Sequence, residues 1–283
     1  MSTTMPPQRG DVDDQYGTPD LVERIEASLR AAGLDPSAPS RDDIAGFDEF
    51  HIRGREATRE LGRLTGLESG MRVLDVGCGL GGPARTLATE FGCRVVGLEL
   101  TKVYCRAARL LNERLGVGDA VRIHHGDALD PPFDDATFDA AVIVHVTMNV
   151  ADKRRLFAGI RRLLRRGGRL GLYEILAGPT RPEHVPVPWA DDPELSHLIA
   201  PDDLRALLER TGYRVLEWND VGDAGLAWFR ARVEAAAGRP PDAPPPLGLN
   251  ILLGESTPVK VENVIRNLEE DRIRVVMAAL EAV

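Results

Sequence analysis

Between Arg72 and Ala177, short apolar runs alternate with stretches whose apolar residues recur at helical spacing. The runs at 72–76, 93–98, 121–125, 138–144 and 169–175 read as strands, and the segments near 83–91, 102–116 and 151–165 read as helices. Strands separated by helices predict a parallel sheet covered on both faces. Upstream, Leu21, Val22, Ile25 and Leu29 predict an amphipathic helix over 21–32 that stops at Gly33. A loop over 35–40 follows, and a second helix is expected from near Gly54 to Leu64. Residues 1–15 are expected to be disordered or loosely docked. Downstream, 179–193 reads as a proline-rich irregular loop, 201–211 as a helix, 213–221 as a sixth strand and 222–237 as a helix. Residues 239–248, with five prolines, read as a linker or extended loop. The stretch 259–283 begins amphipathic, and its 273–279 portion fits either a continued helix or a last strand. This divides the chain into a cap (1–69), a core (70–178) and a C-terminal part (179–283) that completes the sheet and the substrate pocket.

The first predicted strand runs directly into Asp75-Val76-Gly77-Cys78-Gly79-Leu80-Gly81-Gly82-Pro83, and 84–88 then reads as a helix. A strand, a glycine-dense turn and a helix N-terminus let a nucleotide-like cofactor lie against bare backbone. Gly77, Gly79 and Gly82 also satisfy the dinucleotide fingerprint, so NAD stays open as a cofactor on the glycines alone. The second strand ends at Glu99, suited to gripping a ribose diol, and the third is followed by Gly126-Asp127-Ala128. With Asp75 two residues before the first glycine, the combination resembles the class I S-adenosylmethionine-dependent methyltransferases. The likeness runs from about Gly70 to Ala177 and is nearest the small-molecule enzymes of the sterol, tocopherol, quinone and sarcosine/dimethylglycine type. Against it stand an NAD-dependent oxidoreductase and a methyltransferase-like protein used only for binding.

The resemblance implies an α/β fold, Rossmann-like, with a mostly parallel seven-stranded sheet, helices on both faces and an N-terminal helical cap. It implies S-adenosylmethionine as cofactor and S-adenosylhomocysteine as product. The cofactor residues would be Asp75, Gly77, Cys78, Gly79, Gly81, Glu99, Leu100, Asp127, Ala128 and His145. Asp75 would orient the loop and the methionine part, Glu99 the ribose hydroxyls and Asp127 the adenine amino group. His145 and Glu174 end the fourth and fifth strands and are the catalytic candidates; each is equally a structural residue on its own showing. His51, in Phe47-Asp48-Glu49-Phe50-His51-Ile52-Arg53-Gly54, is similar to the His-x-Gly segment that covers the site in tocopherol- and betaine-type enzymes, one residue longer here. Tyr16, Asn149, Tyr173 and Trp189 join it as lid or substrate residues, with His197 a weaker candidate. Trp189, Tyr16, Tyr173 and Glu174 together would make an aromatic, acidic pocket suited to an amine. The acceptor atom, nitrogen, oxygen or carbon, stays open.

Composition narrows the partners. The formal net charge of −9 disfavours phosphate backbones and anionic membranes, so a small-molecule acceptor is expected and nucleic acid is not. Basic clusters at 153–155 and 161–166 fall at helical spacing and read as solvated faces. Cys78, Cys93 and Cys105 are an odd number without paired spacing, which predicts neither a disulfide framework nor a metal site. No apolar run approaches the length of a membrane span, and Met1–Asp14 lacks the apolar segment of a signal peptide, so a cytoplasmic location is expected. A homodimer is left open.

Overall fold

In the computed structural model the five apolar runs are strands β1 (Arg72–Val76), β2 (Arg94–Glu99), β3 (Val121–His125), β4 (Phe138–Val144) and β5 (Leu164–Ala177). The structure describes residues 20–240 and 243–283; the expectations for residues 1–15 and for Tyr16 lie outside them. Strands β1 to β5 pair in parallel in the order β3-β2-β1-β4-β5. Two further strands, β6 (Tyr213–Asp220) and β7 (Ile273–Ala282), complete a seven-stranded sheet. Strand β7 lies antiparallel between β5 and β6, which settles the reading of 273–279 as strand. Its residues 275–280 are buried on both faces, and they form an unbroken apolar run. Such a run carries no two-residue period and looks the same as a buried helix in sequence.

The helices are α1 (Leu21–Ala31), α2 (Arg41–Asp48), α3 (Gly54–Thr65), α4 (Gly82–Phe91), α5 (Lys102–Arg114), α6 (Lys153–Leu163), α7 (Pro201–Arg210), α8 (Gly222–Ala237), α9 (Asn250–Leu253) and α10 (Thr257–Glu269). Helix α2 corrects the sequence reading, which had no helix between Gly33 and Gly54. Ser40 begins it with a capping box: the Asp43 N–H donates to Ser40 Oγ, and the Ser40 N–H donates to the Asp43 carboxylate at 2.7 Å. A second correction concerns 151–170. Helix α6 ends at Leu163, and Leu164 already pairs with Phe138; the register then shifts before Ala140 meets Arg169. Residues 165–168, between the helix and the strand read from the sequence, thus form an irregularity within β5.

Three apolar clusters hold the layers together. On one face of the sheet Ala57 and Leu61 of α3, Leu87 of α4, Ala108 of α5 and Val264 of α10 pack against β1, β4 and β7. On the other, Leu156, Phe157 and Ile160 of α6 and Leu204 and Leu208 of α7 do so. The third cluster docks the cap: Leu21, Ile25 and Leu29 of α1 and Ile44 and Phe47 of α2 meet Tyr104, Ala107 and Leu111 of α5 and Ile251 and Leu252 of α9.

Candidate active site

The strand order reverses direction between β1 and β4, and in open α/β sheets the crevice beyond such a switch point receives the ligand. The loop after β1 is built for close approach. The N–H groups of Gly77 and Cys78 both donate to the Leu98 carbonyl. Gly77 takes a φ of +67°, and a Cβ there would lie 2.6 Å from Val146 Cγ2, so only glycine fits. Glu99 anchors the loop from β2: its Oε2 accepts from the Gly79 N–H at 2.9 Å and its Oε1 from the Thr101 N–H at 2.8 Å. Gly81, at φ +79°, starts α4. The Gly126 N–H donates to the Glu99 carbonyl, which brings Asp127 beside that strand end, and Asp127 Oδ1 accepts from the Leu129 N–H. Leu100 continues from β2, while Ala128 packs toward the α6 face.

A cavity holding about 920 Å³ of empty space, its mouth included, opens at this point. Asp75, Gly77 and Cys78 line it from β1, Val144, His145 and Met148 from β4, and Phe50 and His51 from the cap. Trp189, Trp228, Phe229 and Leu252 close its far side. A wider chamber between α2–α3 and α8–α10 continues it outward, the two sharing Phe50, His51, Trp228, Phe229, Leu249 and Val261. Three buried polar atoms on residues lining the inner cavity have no hydrogen-bond partner among the described residues: Asp48 Oδ1, Asp75 Oδ2 and His145 Nε2. Burial, with a further push from Glu99, raises the Asp75 pKa to about 7. Burial also drives His145 well below the ordinary histidine range, and the nearby His51 adds to the shift. His51 itself is brought down to about 4 by burial. Its Nε2 lies 2.9 Å from the Gly54 carbonyl and 3.2 Å from Thr58 Oγ1, so a neutral ring keeps its lone pair on Nδ1. The ring centroids of His51 and His145 are 5.9 Å apart, and Tyr173 lies 4.8 Å from His145.

The cap is joined to the cofactor loop by a buried charged cluster. Asp48 Oδ2 accepts from Arg41 Nη1 at 2.7 Å and from Arg85 Nη2 at 2.8 Å; Arg85 is fully buried at the start of α4 and also reaches Asn112. Glu49 accepts from Arg41, Thr58 and Thr86. Removing one partner of such a pair leaves a buried charge uncompensated, at a cost of about 3–5 kcal/mol. The contact needs Gly82, where a Cβ would sit 2.2 Å from the Asp48 carbonyl oxygen.

Asp75, Gly77, Cys78, His51, His145 and Trp189 thus come together around one space, with Glu99, Gly79 and Gly81 forming the wall behind it. Others do not join them. Glu174 shares the strand parity of Leu172 and Leu176 and so faces the α6 side, while Tyr173 and Ile175 face the α4 side. Its carboxylate accepts from the N–H groups of Val146 and Thr147 and from Thr147 Oγ1, and burial raises its pKa to about 7. It braces the turn carrying His145 from behind and contributes nothing to an amine pocket. Tyr173 is fully buried under His145, its hydroxyl donating to the Ile52 carbonyl at 3.0 Å. Asn149 ends the short helical turn at 147–149, whose Met148 lines the cavity in its place. His197 ties loop to turn through its backbone, its N–H donating to the Met148 carbonyl. Asp48, Arg85, Phe50 and Trp228 were missed. A lone arginine inside Ala84-Arg85-Thr86-Leu87-Ala88 was the signal for a buried ion pair.

A family model described as "Methyltransferase domain" matches residues 74–172. The chain is 32% identical over 189 residues to the O-methyltransferase rstn1 of Aspergillus nomiae, covering 66% of this chain and 84% of that protein. It is 34% identical over 171 residues to a sterol 24-C-methyltransferase of Eremothecium gossypii, covering 58% of this chain and 45% of that one. Among solved structures it matches a geranyl diphosphate C-methyltransferase of Streptomyces coelicolor in complex with S-adenosyl-L-homocysteine at a TM-score of 0.71, with 19% identity and all of both chains covered. The cyclase SpnF matches at a TM-score of 0.68, with 23% identity over 99% of each chain. The chain belongs to the class I S-adenosylmethionine-dependent methyltransferases. It is an enzyme that moves a methyl group from S-adenosylmethionine to a small molecule. The site suits that cofactor: a glycine-rich loop for close approach, a carboxylate at the end of β2, and unpartnered acceptor oxygens on Asp48 and Asp75 for a ligand carrying N–H donors.

Proposed function

We propose that the acceptor is an extended apolar molecule methylated on an acidic hydroxyl, of phenol or enol type. The observation that carries this is the lining: beyond the cofactor loop, both chambers are walled by Phe50, Trp228, Phe229 and Val261, and the inner one also by Trp189 and Leu252. Glu174, the carboxylate an amine pocket would use, faces the opposite side of the sheet. The likeness to O-methyltransferases supports the oxygen acceptor.

On this reading Glu99 grips the ribose hydroxyls, Asp127 meets the adenine and Asp75 orients the loop. Bound S-adenosylmethionine supplies a methyl group on a sulfonium sulfur, which in-line displacement leaves as a neutral thioether. His145 is neutral across the physiological range, and its Nε2 has no hydrogen-bond partner among the described residues; in the tautomer with its proton on Nδ1, Nε2 is the acceptor. It takes the hydroxyl proton as the oxygen attacks. His51, Phe50 and Trp189 exclude water and hold the acceptor in line. Alignment of this kind supplies up to about 7–11 kcal/mol of the barrier reduction. The exclusion of nucleic acid belongs to this proposal, on the net charge of −9, as does the cytoplasmic setting.

The test is a screen with methyl-labelled cofactor against phenols, enols, isoprenoids and small amines. Turnover is expected with apolar hydroxy compounds, falling about 100-fold or more in His145→Gln with cofactor affinity kept. Methylation confined to small amines, or a fully active His145→Gln, would overturn the reading.

A further inference from the structure

The cap carries a carboxylate that the fold does not use up. Asp48 is 1% exposed at the end of α2. One oxygen, Oδ2, is held by two guanidiniums, those of Arg41 and Arg85, and this fixes where the other points. Oδ1 has no partner among the described residues, although the side chain lines the inner cavity. A buried carboxylate oxygen left without a donor is costly unless a ligand supplies one. Asp75 Oδ2, on the same wall, is in the same condition. The backbone of Asp48 lies against the first turn of α4, since a Cβ on Gly82 would meet its carbonyl at 2.2 Å. Asp48 therefore stands at the glycine-loop end of the cavity.

The cofactor offers three kinds of donor: an adenine amino group, two ribose hydroxyls and an α-ammonium. Glu99 and Asp127 stand at the ends of β2 and β3, where the function proposed above, on which this inference rests, puts the nucleoside. The two orphaned oxygens stand on the β1 side, where the amino-acid end remains. An ammonium has three N–H donors and one positive charge, enough for both carboxylates.

We propose that Asp48 is a cofactor-binding residue supplied by the cap, its Oδ1 accepting from the α-ammonium of S-adenosylmethionine beside Asp75. Cofactor binding then fixes the cap through the Asp48–Arg85 pair, whatever the acceptor. The inference is independent of the acceptor proposed above.

Calorimetry on Asp48→Asn with two ligands tests it: S-adenosylhomocysteine, and its deaminated analogue lacking only the α-ammonium. Loss of one charge-assisted bond should weaken S-adenosylhomocysteine roughly 10- to 100-fold and leave the deaminated analogue within about twofold of its wild-type affinity. An equal loss for both ligands, or none for either, would overturn the assignment and leave Asp48 as a structural latch whose Oδ1 binds water. If Asp48→Asn does not fold, a crystal structure of the wild-type chain with S-adenosylhomocysteine decides. A nitrogen–Oδ1 distance within hydrogen-bond range supports the proposal; a water between them, or a nitrogen turned away, refutes it.

Discussion

Asp75 is buried at a cost to the unliganded fold, and under the proposed function that cost serves cofactor binding. Its pKa of about 7 lies far above the ordinary aspartate value, and burial is the main cause. As pH rises from about 4 to 7, the unfolded chain gives up a proton that the folded chain keeps, so folding loses stability across that window. The full effect is on the order of 4 kcal/mol. Asp75→Asn keeps the shape and carries no charge. Thermal melts of the unliganded proteins should show the variant gaining on the wild type between pH 5 and pH 8, with a smaller rise on adding S-adenosylhomocysteine. A gap that does not change with pH would mean that Asp75 is not buried as a charge. Buried His51 works with the opposite sign: its stability is present above about 6.5 and is lost as pH falls toward 4. Comparing variant with wild type at each pH cancels that contribution.

Among the secondary-structure elements, α2 is the one on which the site depends and the one the sequence reading lacked. Eight residues long, it buries Ile44 and Phe47, and charged groups at its C-terminal end make the rest of its attachment. Phe50 and His51 follow it directly and line the cavity. If Asp48 takes the cofactor ammonium as proposed, ligand binding adds one more tie to this element. Hydrogen exchange over residues 41–53 should slow about tenfold or more on adding S-adenosylhomocysteine, with α6 on the opposite face unchanged. Equal protection in both states would show a cap already closed without ligand. Its period was hard to read because α2 has only two large apolar residues. The Ser40-x-x-Asp43 box was the available signal, with aspartate where glutamate or glutamine is usual.

The molecule as a whole places two chambers in series, the inner against the cofactor loop and the outer between the cap and α8–α10. Val261 of α10 lines both. Val261→Trp should narrow the passage, lowering kcat/KM for long acceptors about tenfold or more. Short acceptors and S-adenosylhomocysteine affinity should be nearly unchanged. Uniform loss across all acceptors would place the passage elsewhere.

The alternation of strands and helices, the glycine loop and the acids at Asp75 and Glu99 follow from local pattern alone. A parallel sheet buried on both faces needs near-continuous apolar runs, and a cofactor lying against backbone needs glycine, so both leave marks in short windows. The face a strand residue takes beyond such a run, and the company it keeps, depend on distant chain. Glu174 lies within β5 and His145 directly follows β4, and parity and pairing turn one behind the sheet and leave the other with an unpartnered nitrogen in the cavity. Asp48 lies 37 residues before Arg85, its partner. Only packing of the cap on α4 brings those charges together, buries them and leaves one oxygen over for a ligand.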